Sequence, residues 1–438
     1  TVVIGGLISS SMLTMIALPL LFEIFYNVTG IRFRPLRFIR SKSVITILLI
    51  AMSCFGIQAQ TTKEYDLNET IELAFKNNKD LQIYELQLKQ EETLKASFFN
   101  PDKTKLFYEY DQNNIAENGH PLKIFGLEQN FSFPTVYSAQ NKINKQKISS
   151  AELNFHHRKQ LIVRDISLAY NQILYLTNKM EVFKKIDSLF SNYTKSAKLK
   201  YKNGEISLLD LLNSKAKQEK TTLKVKDLSH KLVIAYTKLN SITQIQTPYK
   251  IQDQKLEKIQ LEEFKPKSSF TMQEARLDVQ HKELLSKLQI NKTLPDISLS
   301  YYRGSNSYSN HKTYEGFQIG LSIPLFYKAH KSKIKATQIG LIMSKLSEAN
   351  TLTQLHSKQR ELKSELIKYK ETIQYFENTG IDLSNEIIRN AEKTFQLGEV
   401  DFFQFAISME NALELRTKHL DDLFKYNQVA IELNYLSK

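Results

Sequence analysis

Few residues in this 438-residue chain stand at spacings that could do chemistry. His156 and His157 are its only adjacent histidines. Neighbours on a helix point about 100° apart, so the pair is a poor chelate and reads as part of a solvated face. Cys54 is the single cysteine, which excludes an intramolecular disulfide and any cysteine-based zinc site. Met180, Met272, Met343 and Met409 are too dispersed for a soft-metal relay. The sequence has no phosphate-cradling glycine loop and no H-E-x-x-H zinc motif. Its acid–base pairs are ordinary helix-surface charges. The residues argue for no catalysis, no resident metal and no cofactor.

One constellation does recur. Tyr201, Gly204, Ile206, Leu209 and Leu212 align at a constant offset with Phe395, Gly398, Val400, Phe403 and Ala406. Glycine permits the left-handed backbone that a tight helix reversal needs, and the apolar residues after it can bury against a neighbour. Asp210 and Asp401 stand beside these turns, although Gln404 occupies the place that aligns with Asp210. The elements that must carry the turns are long. Ile162, Ile166, Ala169, Ile173, Leu176, Met180 and Phe183 step by four and three. So do Val225, Leu228, Leu232, Ala235 and Leu239, and again Leu362, Leu366, Tyr369, Ile373 and Phe376. This is coiled-coil spacing. From Pro134 to Gly204, and from Pro324 to Gly398, the pattern predicts two rods of about 100 Å at 1.5 Å per residue.

Both rods grow out of strands. Phe125, Leu127, Phe131 and Phe133 alternate with Gly126, Glu128, Asn130 and Ser132 before Pro134. Phe317, Ile319, Leu321 and Ile323 alternate with Gln318, Gly320 and Ser322 before Pro324. A period of two gives one apolar and one polar face. Lys105 to Asn113 and Ile297 to Tyr302 alternate likewise, each after a Pro-Asp pair. A polar stretch from Asn114 to Leu122 reads as a loop, as does the stretch from Gly304 to Asn310. The duplication divides the exported part into a first repeat at 60–246, a proline-containing linker at 247–268 and a second repeat at 269–438. Each strand approaches the length that a tilted bilayer-spanning strand needs. Four strands cannot enclose a pore, so the chain must oligomerise to remove its sheet edges. A soluble antiparallel sheet is the other reading, and it too needs a partner for its apolar face.

Asp66 and Glu69 make a capping box for a helix running to about Phe99, where Asn100-Pro101-Asp102 breaks it. That helix opens with Leu67-Asn68-Glu69-Thr70-Ile71-Glu72-Leu73-Ala74-Phe75-Lys76-Asn77-Asn78-Lys79-Asp80-Leu81. It resembles the opening signature of the TolC family of outer-membrane efflux ducts. Thr70 departs from the family's alanine and Lys79 from its proline. With the strand–proline joints at Pro134 and Pro324, the tip glycines and the duplication, the resemblance covers about residues 64–438. It implies a mainly α fold with a membrane β-barrel portion, built as a homotrimer with a 12-strand barrel and an α-helical periplasmic tunnel. It also implies passive conduction from an inner-membrane pump through a periplasmic adaptor protein. On that resemblance Gly204, Leu209, Gly398 and Phe403 are candidates for adaptor docking, and Asp210 and Asp401 for an acidic entrance ring.

The first sixty residues are of another kind. Thr1 to Phe22 contains no charge and is long enough to span a bilayer as a helix. With Val3-Ile4-Gly5-Gly6-Leu7 and Leu18-Pro19-Leu20, residues 1–30 resemble the last transmembrane helix of resistance–nodulation–division efflux pumps, the heavy-metal branch in particular. Arg32, Arg34, Arg37, Arg40 and Lys42 make a basic cytoplasmic linker at 31–42. Ser43 to Ala59 reads as an internal signal peptide with cleavage after Ala59, or as a lipidation signal ending at Cys54. The chain is thus expected to be the tail of a longer polypeptide, or of a misjoined reading frame, followed by an exported protein. The net charge of +14 comes from lysines scattered among glutamates on helical faces, which gives no nucleic-acid platform. The cargo is expected to be metal cations or drugs. The exit duct of a type I protein secretion system, and a helical scaffold or adaptor held at the inner membrane by Ser43–Ala59, remain as alternatives.

Overall fold

The computed structural model describes residues 63–112, 120–245, 249–252, 254–263, 268–306 and 313–437. The expectations for residues 1–59, including Cys54 and Ala59, lie outside them. The described chain is mainly helical. Strand β1 (Lys63–Tyr65) leads to α1 (Leu67–Asn77) and α2 (Lys79–Thr93), and a 3-10 turn follows over Leu94–Phe98. Strands β2 (Lys105–Asp111) and β3 (Leu122–Phe131) come next, then α3 (Pro134–Lys202) and α4 (Leu208–Thr243). After β4 (Tyr249–Ile251), the second half runs α5 (Phe270–Asn291), β5 (Asp296–Asn306), β6 (Thr313–Ser322) and α6 (Tyr327–Tyr375). A π turn at Phe376–Gly380 joins α6 to α7 (Ile381–Gln396), and α8 (Phe402–Leu436) closes the series. No described helix is long and apolar enough to cross a membrane.

Local chemistry explains where these elements start and stop. Asp66 accepts the Glu69 N–H at 2.7 Å while the Glu69 carboxylate accepts the Asp66 N–H at 3.1 Å, which is the expected capping box. The single helix expected to reach Phe99 is instead broken at Asn78, whose ψ of 114° leaves the helical region. Its side chain then caps α2 by accepting the Leu81 N–H at 2.9 Å and also donates to the Ile242 carbonyl at 2.7 Å. Lys79 is therefore the first residue of a new helix, a position where proline fits well. Here its N–H is used, donated to Gln244 at 3.0 Å.

Helix α3 runs 69 residues without interruption, about 100 Å at 1.5 Å per residue. It has no glycine anywhere and no proline after its first position, so nothing breaks its hydrogen-bond ladder. The second rod differs. It begins at Tyr327 rather than Pro324, and its ladder slips at Phe376–Gly380, where the Ile381 N–H reaches back to the Phe376 carbonyl. Gly380 is required there, because a Cβ would run into the Phe376 ring.

The predicted seam residues form the core. Ile162, Ile166, Ala169, Ile173 and Leu176 of α3 pack with Leu228, Ala235 and Leu239 of α4, together with Tyr249 and Ile251 of β4. Leu362, Leu366 and Ile373 of α6 pack with Leu423, Tyr426, Val429, Ala430 and Leu433 of α8. The expected linker contributes to both clusters. Its β4 pairs in parallel with β1, and Leu256 is buried in the cluster of α6 and α8.

Candidate functional site

Strands β2, β3, β5 and β6 form one antiparallel sheet in that order. Opposite residues share a face, and the register separates the side chains through the middle of the sheet, while Lys123, Arg303 and Glu315 join the apolar face towards its loop end. Leu106 faces Leu127, Leu127 faces Tyr301, and Tyr301 faces Phe317. With Tyr108, Phe125, Ile319 and Leu321 they make an apolar face that is largely exposed. The opposite face carries Lys105, Glu128, Ser300 and Gln318 in one row. The outer edges of β2 and β6 pair with no strand among the described residues. Such edges invite another chain.

The joint between sheet and rods is held by side chains. Pro134 is the first residue of α3, where its fixed φ suits the helix and its missing N–H is no loss. The strand stops at Phe131, two residues short of the expected alternation, because Ser132 turns its N–H to the Tyr137 hydroxyl at 3.0 Å. Gln129 donates to the Asp102 carbonyl and accepts from Thr104, both at 2.6 Å, tying the entry of β2 to the exit of β3. Pro324 lies between β6 and α6, outside both elements.

At the far end of the rods the two glycines behave alike. Gly204 has φ of 75° and Gly398 has φ of 74°. Glu205 N–H reaches the Lys200 carbonyl at 2.9 Å, and Glu399 N–H reaches Thr394 at 2.9 Å. The Gly204 and Gly398 N–H groups bond to Tyr201 and Phe395, at 3.0 and 3.1 Å. Both turns are thus Schellman closures. The helices then restart on side-chain caps: Ser207 with Asp210 as a capping box, and Asp401 accepting the Gln404 N–H at 2.8 Å. The two acids expected at an entrance are therefore engaged in helix capping. Leu209 and Phe403 point outward, 66% and 69% exposed. Behind them Tyr193 stacks on Phe402 at 4.3 Å and meets Phe395 at 4.8 Å. Burial, then the charges of Asp210 and Asp401, push its phenol up to about 12. Lys217 of α4 pairs with Glu410 of α8, bridging the two hairpins.

Sequence reasoning missed the two asparagines that clamp the linker at mid-height. Asn427 of α8 donates to the Glu257 carbonyl at 2.7 Å and accepts the Ile259 N–H at 2.9 Å. Asn434 repeats this one step along, donating to Gln260 and accepting from Glu262, both at 2.8 Å. Seven helical residues and three extended residues each advance about 10 Å, so the spacings match. Lys258 of this strap reaches Glu377 of the π turn at 2.7 Å. The available signal was an asparagine inside the apolar seam of α8, beside Tyr426 and Ala430.

Of the histidine pair, His156 is exposed as expected, whereas His157 departs from expectation. The side chain of His157 is only 17% exposed. Its ring lies parallel to Phe270 at 5.4 Å, with Nδ1 2.5 Å from Glu274 and Nε2 2.7 Å from the Tyr435 hydroxyl. It ties α3 to α5 and α8. No group of three or more His, Cys, Asp or Glu among the described residues is placed to hold a metal.

The fold has solved counterparts. The chain is similar to CusC, described as undergoing conformational changes on folding and transmembrane channel formation, with TM-score 0.71 and 13% identity over 86% of this chain and 92% of that one. It is similar to the CmeC outer membrane channel of Campylobacter jejuni, with TM-score 0.68 and 14% identity over 85% of each chain. The open-state MtrE outer membrane channel of Neisseria gonorrhoeae matches with TM-score 0.65 and 11% identity, over 84% of this chain and 88% of that one. No protein-family profile and no curated protein matches the sequence.

Proposed function

We propose that this chain is an outer-membrane efflux duct of the TolC type, a passive channel through which an inner-membrane pump and its periplasmic adaptor expel small solutes. The observation that carries this reading is the sheet. It has an exposed apolar face, a polar opposite face and two edges that pair with no described strand, and it leads through Pro134 into a rod about 100 Å long. Free edges on β2 and β6 lie at opposite ends of the strand order, so copies join head to tail and close into a ring. Three copies give the twelve strands of the resembled family. The channels of like fold support the same role.

The helical face beside each free edge supports the ring. Ile339, Ile342, Met343 and Leu346 of α6 form an exposed apolar stripe, and α2 exposes Ile83 and Leu86. At the other end, Gly204 with Leu209 and Gly398 with Phe403 present apolar tips to the adaptor. The barrel–tunnel joint is assigned to Pro134 and Pro324. Cargo is metal cations or drugs. A pump-like segment at residues 1–30, which is inner-membrane where retained, favours metals.

Two measurements test the reading. The mature protein is expected to begin near Gln60 and to extract with outer membranes as an oligomer. N-terminal sequencing that finds residues 1–59 still attached, in inner membranes, overturns it in favour of the scaffold. A deletion strain challenged with copper, zinc, cobalt and common drugs then assigns the cargo. Unchanged tolerance to all of them, with a secreted protein lost from the medium, would point to type I secretion.

A further inference from the structure

One transverse row of the sheet stands apart from its neighbours. On the polar face Phe107 lies opposite Gly126, Gly126 opposite Tyr302, and Tyr302 opposite Gly316. Aromatic and glycine alternate across all four strands. The Phe107 ring lies over Gly126 and the Tyr302 ring over Gly316, so closely that a Cβ at either glycine would overlap the ring. The rings are therefore held flat against the wall instead of standing into the space beyond it.

That face also carries a charge bias. Glu109, Asp111, Glu128 and Asp296 lie on it with Lys105 as the sole cation among the described strand residues, and Lys105 is 3.8 Å from Glu128. Glu109 stands two residues beyond Phe107 on the same face. An aromatic face with a carboxylate nearby attracts planar cations by stacking, by the ring quadrupole and by charge together. A small hydrated metal ion gains only the last of these.

We propose that Phe107 and Tyr302 form an aromatic belt inside the barrel, which passing planar organic cations contact, and that Gly126 and Gly316 keep its aperture open. The proposal rests on the duct reading, which makes the polar face a lumen. With two rings per chain, a closed ring of three copies presents six of them, three of each kind. Of the two proposed cargoes the belt favours drug-like aromatic cations, in opposition to the metals that residues 1–30 favour.

Ethidium, titrated by fluorescence anisotropy into the detergent-extracted, assembled protein, tests this. Phe107→Leu with Tyr302→Leu keeps apolar bulk on the wall and is expected to weaken binding about tenfold. Tyr302→Phe, which keeps the ring, is expected to bind as the unaltered protein does. Should the double leucine variant fail to assemble, single Tyr302→Leu is expected to weaken binding at least twofold. Equal ethidium affinity in the leucine variants and the unaltered protein overturns the belt and leaves the duct intact. An unaltered protein that forms no outer-membrane oligomer overturns both.

Discussion

Gly204 and Gly398 sit in a backbone region where a side chain crowds the following carbonyl, at a cost of about 1–2 kcal/mol. An added Cβ would meet nothing within 4 Å at either site. Replacement by alanine is therefore expected to cost that strain and nothing more, seen as faster proteolysis at the tip, with asparagine milder than alanine. Both glycines could be seen in the sequence because they come as a pair. The roles of Asp210 and Asp401 could not, since a carboxylate near a turn reads the same whether it caps a helix or faces a pore. Tyr193 adds a pH prediction. Burial and the neighbouring acids raise its phenol to about 12, so the folded tip favours the neutral form. Its contribution is complete below the ordinary value near 10 and is lost as pH rises from about 10 through about 12. Tyr193→Phe is expected to remove a late component from the ultraviolet tyrosinate titration without loosening the tip at neutral pH.

Among the elements, those that carry their own period were legible: the seams of α3, α4 and α6, and the alternation of β3 and β6. What hid was held by single side chains. The break at Asn78 depends on one amide, the slip at Gly380 on one ring-to-backbone contact, and the strap of residues 254–263 on two asparagine amides. The strap gives the sharpest test. Asn427 is 1% exposed, so Asn427→Ala strands two backbone groups where water is scarce, at about 2–3 kcal/mol. Asn434→Ala is expected to cost less, because water reaches its partners. Hydrogen exchange at Ile259 and Glu262 reads the two losses separately. Faster exchange at both amides from Asn434→Ala alone would contradict the paired arrangement.

For the whole molecule, the outer face of the sheet decides between membrane and water. Leu127 lies on the apolar face and Asn130 on the polar one, opposite Ser298. Leu127→Asp, which puts a charge on the lipid-facing side, is expected to block membrane assembly, while Asn130→Asp is tolerated. Heat-modifiable migration of the oligomer on gels reads this, and equal tolerance of both would count against a membrane barrel. The strap carries a consequence in time as well. It lies at mid-chain, between the repeats, yet both asparagines that fasten it belong to α8, late in the sequence. Asn178 and Glu377 hold it earlier at Gln254 and Lys258, but the paired amide clamp waits for α8. A polypeptide threaded across a membrane from its front end completes its first hairpin and still waits, unbuckled at the waist, for its last helix. A partly delivered copy therefore keeps a loose belt that proteases can find. A chain lacking α8 is expected to be cut within residues 254–263 sooner than the whole chain, which limited proteolysis reads.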